Sequence, residues 1–263
     1  MREIEPLLYR KLKARLYLRA VLPAFEDLLE KSEAAQEILG ERKFSICFQV
    51  GRQLKSVLFF EDGKCLWRPG ARARDADVLL HFLSEEQLNK EFENKGFRLP
   101  LPLKGQTRAK DISKFKSLSR LFEAYLRGDP AVAEDPKFRS LQVGIQLGIA
   151  LRATKVLVEH EEISGLIMKD TPEGLAYFSV GLDGYGAWVE WKGGQLLSGN
   201  GLPDRKSDVT IEFFDADTAL KVVGNQIDVM SAVGTGAIKL SGLIPLADSL
   251  GYVFERVPLY IKP

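Results

Sequence analysis

The sequence predicts an α+β chain of two similar domains, each a curved, mostly antiparallel sheet of about five strands covered by helices. Three observations carry this. First, one spacing recurs: Ala76-Asp77-Val78-Leu79-Leu80-His81-Phe82 resembles Ser207-Asp208-Val209-Thr210-Ile211-Glu212-Phe213 at an offset of 131. The same offset carries Asp62-Gly63 onto Gly193-Gly194, Phe60 onto Trp191 and Asn94 onto Asn225. Second, helices and short hairpins are mixed in each repeat, which points to α+β rather than a doubly wound sheet. Third, 263 residues is the length of one large or two ordinary domains of ~100–150. Gly128-Asp129-Pro130 punctuates the chain between the repeats and sets the domains at 1–130 and 131–263.

The first unit opens with a helical segment, Pro6–Leu39, which Pro23 breaks or kinks. Phe44, Ile46, Phe48 and Val50 alternate with Ser45, Cys47 and Gln49, the period of a strand with one buried face. Val57–Phe60, the turn Asp62-Gly63 and Lys64–Trp67 form a hairpin, matched in the second unit by Gly186–Trp191, Gly193-Gly194 and Gln195–Ser198. The second unit's helix starts at Asp135-Pro136, an N-cap followed by proline, and keeps helical spacing to about His160. Val209, Ile211 and Phe213 alternate as a half-buried strand, and Asp215 or Asp217 caps a short helix through Leu220 and Val223. Then follow Ile227–Val233, a strand Ala237–Leu240 closed by Gly242, and an amphipathic helix with Leu246, Leu250, Val253 and Phe254.

This order, with Asp208–Phe213, Met230-Ser231-Ala232 and Gly236–Gly242, resembles the sterol carrier protein type-2 domain family over roughly Gly174–Arg256. The first unit keeps Ala76–Phe82 and Leu103-Lys104-Gly105 but lacks six residues around Phe97–Pro102, where the family places a helix beside its lipid tunnel. The resemblance therefore implies the main apolar cavity in the second unit. It further implies non-catalytic binding and transfer of a lipid, fatty acyl or sterol-like ligand, with no catalytic residues and no cofactor. The alternative is a ligand-free interaction or accessory module for a lipid-modifying enzyme.

The ligand-binding residues implied are Val209, Ile211, Phe213, Leu220, Val223, Ile227, Met230, Val233, Ile238, Leu240, Leu246, Leu250 and Phe254. By residue type alone this set is an ordinary close-packed core; only the resemblance makes it the wall of a cavity. Other features have plainer readings. Ser231 and Ser241 have no histidine nearby in sequence except His160, which argues against a hydrolytic triad. Cys47 and Cys65 read as small hydrophobes, and His81 as a solvated or hydrogen-bonded side chain. Gly181–Gly186 reads as a hairpin loop. Asp204, Asp208, Asp215 and Asp217 suit capping and solvation better than a cation site.

Composition narrows the partners. Two histidines and two cysteines leave little for a zinc site or a disulfide framework, so no metal is expected and the setting is read as reducing and cytoplasmic. The N-terminus does not read as a secretory signal, and no apolar run approaches a membrane span, since Val143–Leu151 is interrupted by Gln146. A net charge of +1 argues against nucleic acid. The charge is uneven: the half ending at Ala131 has 25 Lys/Arg against 19 Asp/Glu, and the other has 12 against 17. Two basic stretches, Arg10–Arg19 with Leu8, Leu12 and Leu16, and Lys104–Arg120, are candidates for transient contact with an anionic membrane surface. The plainer reading is that Leu8, Leu12 and Leu16 pack onto the sheet while the charges solvate the opposite face.

Overall fold

The computed structural model describes residues 6–93, 102–128, 135–181 and 185–261, without the side chains of Pro6 and Met230. The chain divides into two compact units, Met1–Ala124 and Tyr125–Pro263. Asp129 and Pro130 of the expected junction, Asn94, and 97–101 of the shortened segment lie outside the described residues, as do 182–184 of the expected hairpin loop.

The first unit begins with α1 (Pro6–Leu16), a π-helical turn (Tyr17–Val21), α2 (Ala24–Lys31) and α3 (Glu33–Leu39). The break falls around Pro23, and its cause is local. Leu22 donates to the Tyr17 carbonyl five residues back at 2.9 Å, and Pro23 has no N–H to offer Leu18. The Leu18 carbonyl accepts instead from Ser56 Oγ at 2.9 Å and Trp67 Nε1 at 3.0 Å, which fastens the helix break to the sheet.

That sheet comprises β1 (Phe44–Val50), β2 (Leu54–Glu61), β3 (Lys64–Pro69) and β4 (Val78–Phe82), in the order β3-β2-β1-β4. Strand β1 pairs antiparallel with β2 and parallel with β4. Asp62 and Gly63 turn the hairpin with φ of 50° and 73°, the two positive values of a tight two-residue loop. Ser84 caps α4 (Glu85–Phe92) by accepting from Gln87 N–H at 3.2 Å, and α5 (Ala109–Arg127) follows.

Two expectations need correction. Among the described residues the sheet has four strands where about five are expected, and Leu79 of β4 forms one bridge with Lys104. Strand β1 is buried on both faces, because Ala71, Ala73 and Ala76 pack with Cys47 and Val57 across the face expected to be open. The helix-facing side is aromatic. Phe25 stacks on Phe122 at 4.6 Å and Phe44 on Phe60 at 4.8 Å, while Phe115 meets Phe48 edge-on at 5.6 Å. Each such ring buried contributes roughly 1.5–3 kcal/mol.

In the second unit Asp135 accepts from Lys137 N–H at 2.9 Å and starts α6 (Pro136–His160), as its Asp-Pro signal predicts. The helix is apolar and, at 25 residues, long enough to cross a membrane by length and composition, although Gln146 interrupts its apolar run. Its sides are mostly buried inside the unit. Gly144 is required there: a Cβ would stand 2.7 Å from the Tyr185 ring. Buried Gln146 donates to the carbonyls of Tyr125 and Leu126 at 3.1 and 2.8 Å, satisfying orphan acceptors at the end of α5.

Next come α7 (Glu162–Lys169), β5 (Gly174–Val180), β6 (Gly186–Lys192), β7 (Gln195–Asn200) and β8 (Val209–Phe213). The unit ends with α8 (Ala216–Val223), α9 (Val229–Gly234), β9 (Ile238–Gly242) and α10 (Ile244–Phe254). The five strands lie in the order β7-β6-β5-β8-β9, with β5 and β8 parallel and the other pairs antiparallel. The first four repeat the order and directions of β3-β2-β1-β4. Helix α4 falls on α8 at the offset of 131, while β1 falls on β5 at 130, since Ile46 pairs with Val78 and Ala176 with Val209.

Candidate ligand site

The site is built on β5, β8 and β9 of the second unit. Strand alternation turns Ile211 and Phe213 toward the helices and leaves Glu212 exposed. Register places Leu240 opposite Ile211 and Ile238 opposite Phe213 on β9, and Phe178 opposite Ile211 on β5. The ladder is anchored at one end by Asp208, whose Oδ2 accepts from Leu175 N–H at 2.7 Å and from Arg205 Nη1 at 2.9 Å. The Leu175 amide, then Arg205, holds this carboxyl below the usual carboxylate range.

Helices roof the floor. Asp215, not Asp217, caps α8 by accepting from Thr218 N–H at 2.7 Å; Asp217 pairs with Arg139. Asp228 caps α9, and α10 crosses the sheet beyond them. Between floor and roof lies a cavity of about 70 Å³, whose walls include Val222 of α8, Val229 of α9 and Leu250, Gly251 and Phe254 of α10. Asp248 and Tyr252 of α10 and its C-cap Glu255, all exposed, complete the lining.

Helix α10 is fastened just past its C-terminus. Arg256 reaches Glu161 with Nε at 2.8 Å and Nη2 at 2.5 Å, and Tyr260 Oη donates to the same carboxylate at 2.5 Å. Burial opposes ionisation of Glu161, but hydrogen bonds from Arg256, Ser164 and Tyr260 outweigh it, and its pKa is lowered.

Of the thirteen expected residues, Ile211, Phe213, Ile238, Leu240, Leu250 and Phe254 line the cavity. Val209, Val223 and Leu246 are buried outside its lining, and Leu220, Ile227 and Val233 are half-buried outside it. The Met230 side chain lies outside the described residues. On α8 the inward face runs through Ala219, Val222 and Val223, so the wall residue is Val222. Phe178 was missed because β5 itself was not singled out, although its alternation with Tyr177 and Ser179 carries the signal. Asp248, Tyr252 and Glu255 recur at helical spacing beside Leu250 and Phe254, a pattern in the sequence that an apolar search passes over.

The other candidates have structural roles. Ser231 donates its backbone N–H to the Asp228 cap at 2.9 Å. Burial pushes the Cys47 thiol up to about 11 and raises Cys65 as well. Nδ1 of His81 is buried and has no hydrogen-bond partner among the described residues. The basic stretches are partly committed: Lys104 donates to the carbonyls of Arg74 and Ala76, Arg108 pairs with Asp77 and Asp111, and Lys114 reaches the Ile38 carbonyl. On α1, Arg10 and Lys13 pair with Glu86 and Glu93; Leu12 and Leu16 are buried while Leu8 is exposed.

No family model matches the chain, and no curated protein matches it. Several solved structures do. A sterol carrier protein 2 crystal structure is 17% identical, with 43% of this chain and 95% of that one covered, at a TM-score of 0.36. The palmitated SCP2L2 of Aedes aegypti is 23% identical over 40% of this chain and 90% of its own, at 0.32. The inverting sec-alkylsulfatase Pisa1 of Pseudomonas sp. is 15% identical over 56% of this chain and 28% of its own, at 0.26.

Proposed function

We propose that the second unit binds and transfers a ligand with an apolar chain, of the lipid, fatty acyl or sterol-like class, without a catalytic step. The observation that carries this reading is the cavity between β5-β8-β9 and the helices, whose walls, the mouth residues of α10 apart, are aliphatic and aromatic. At about 70 Å³ it is roughly half the size of the ~150 Å³ cavity that admits benzene, so the resting form takes the end of a chain. Deeper entry displaces α10, and each methylene buried contributes ~0.8 kcal/mol toward that displacement. In this reading the two units are diverged copies of one ancestral unit, of which the first no longer holds ligand. Contact with an anionic membrane surface then falls to the exposed Lys110, Lys116 and Arg120 of α5.

The exposed pair Ile163 and Leu166, three residues apart on α7, favours the second reading, a protein-interaction module. A neutral fluorescent dye such as Nile red separates the two. The account expects saturable binding by the full chain that is lost in Gly251→Phe, a substitution into open space on the cavity wall. Absence of binding, or equal binding by the folded variant, would favour the interaction module.

A further inference from the structure

We infer that the ligand carries a cationic head, an alkylammonium rather than a fatty carboxylate. This rests on the cavity being a ligand site and adds the polarity of its mouth. Helix α10 lays two stripes side by side. Ala247, Leu250 and Phe254 turn their apolar side chains to the cavity, and Asp248, Tyr252 and the C-cap Glu255 follow one or two positions later along its mouth. The two carboxylates and the phenol are the polar side chains of the lining, and no lysine or arginine belongs to it.

Asp248 and Glu255 take no ion pair among the described residues. Arg256, the cation next along the chain, is held by Glu161. A head group stopped at this mouth by its hydration therefore meets two negative charges. It also meets the Tyr252 ring, 61% exposed and free to lie against it. Carboxylates with an aromatic face are the chemistry that recognises ammonium groups. The same mouth repels a fatty acid anion, which would have to leave water for a site offering no counter-charge.

The test compares three twelve-carbon chains below their micelle concentrations by isothermal titration of the full chain: dodecyltrimethylammonium, dodecanol and dodecanoate. The expected result is dodecyltrimethylammonium binding on the order of tenfold tighter than dodecanoate at low salt. Asp248→Asn with Glu255→Gln should bring that ratio within about threefold, and Gly251→Phe should abolish binding of the cation, which rules out an acidic surface elsewhere. Dodecanoate binding as tightly as the cation, or a ratio unchanged in the double variant, overturns the inference. If dodecanol still binds and Gly251→Phe still blocks it, the cavity reading survives that result. Failure of all three chains to bind overturns both. Thermal melts of each variant verify that the fold is retained.

Discussion

Each unit ends its sheet on a glycine that does the same job. Gly105 has φ of +90° with its Cβ position 2.6 Å from the Asp77 carbonyl, and Gly242 has φ of +103° with its own 2.1 Å from the Asp208 carbonyl. Each aspartate in turn pins the first strand of its unit: Asp77 accepts from Ser45 N–H at 2.9 Å, and Asp208 from Leu175 N–H at 2.7 Å. Around this shared corner the units part. In the second, a full strand β9 leads into the glycine and α10 leaves it, with Leu240, Leu250 and Phe254 standing around a cavity. In the first, among the described residues, one bridge precedes the glycine, and α5 drives Phe115 and Phe122 among Phe25, Phe48 and Phe60. Helix α5 is wedged by these rings along its length, and Asp111 in its first turn pairs with Arg42 at 3.1 Å. Helix α10, which roofs the cavity, is held from its end by Glu161, Arg256 and Tyr260.

The largest expected effects follow from that contrast. Phe115→Ala, which empties the centre of the aromatic cluster, should cost about 3–5 kcal/mol of unfolding free energy by denaturant titration. A loss under ~1 kcal/mol would mean the first unit is loosely packed. Glu161→Gln should cost about 2–3 kcal/mol at pH 7, because it strands a largely buried Arg256. The pKa of Glu161 is lowered in the folded state, so its contribution is present above the unfolded value of ~4.3 and is lost as pH falls through the folded value. Parent and variant should therefore converge as pH falls below the unfolded value and through the lowered folded one.

Glu91 tests the other side of the comparison. It occupies on α4 the place that Val222 takes on α8, and its buried Oε2 has no hydrogen-bond partner among the described residues. Burial raises its pKa to about 7 against a weaker opposing pull from Lys116. A raised carboxyl is a cost that is absent below the unfolded ~4.3, grows through the interval to 7, and is complete above it. Glu91→Gln should leave stability nearly unchanged at pH 4 and raise it by about 1–2 kcal/mol at pH 8, allowing for partial exposure. A variant no more stable at pH 8 would place that carboxylate in water. The smallest effect belongs to Gly251→Ala, which should add ~0.5–1 kcal/mol, since the helix gains propensity and the methyl meets nothing within 4 Å.

Much of this was legible in the residues. Alternation in Val209–Phe213, the Asp62-Gly63 turn and the Asp135-Pro136 start each follow from local stereochemistry, and each formed where expected. The single bridge of Leu79 with Lys104 and the double burial of β1 were not legible, because both depend on what another part of the chain lays against the sheet. The wall of the cavity was half legible. Alternation singles out Ile211 and Phe213, but which side of α8 turns inward is decided by packing, and that exchanged Val223 for Val222. The void itself has no sequence signature, since the same aliphatic residues build a solid core.

The contrast between a filled and an open sheet–helix layer is tested most directly by following backbone amide resonances of the full chain during titration with dodecanol. The account predicts saturable shifts at Phe178, Ile211, Leu240 and Leu250, with Phe48, Leu80 and Phe82 of the first unit unmoved. Shifts centred on the first unit, or spread equally over both, would contradict it.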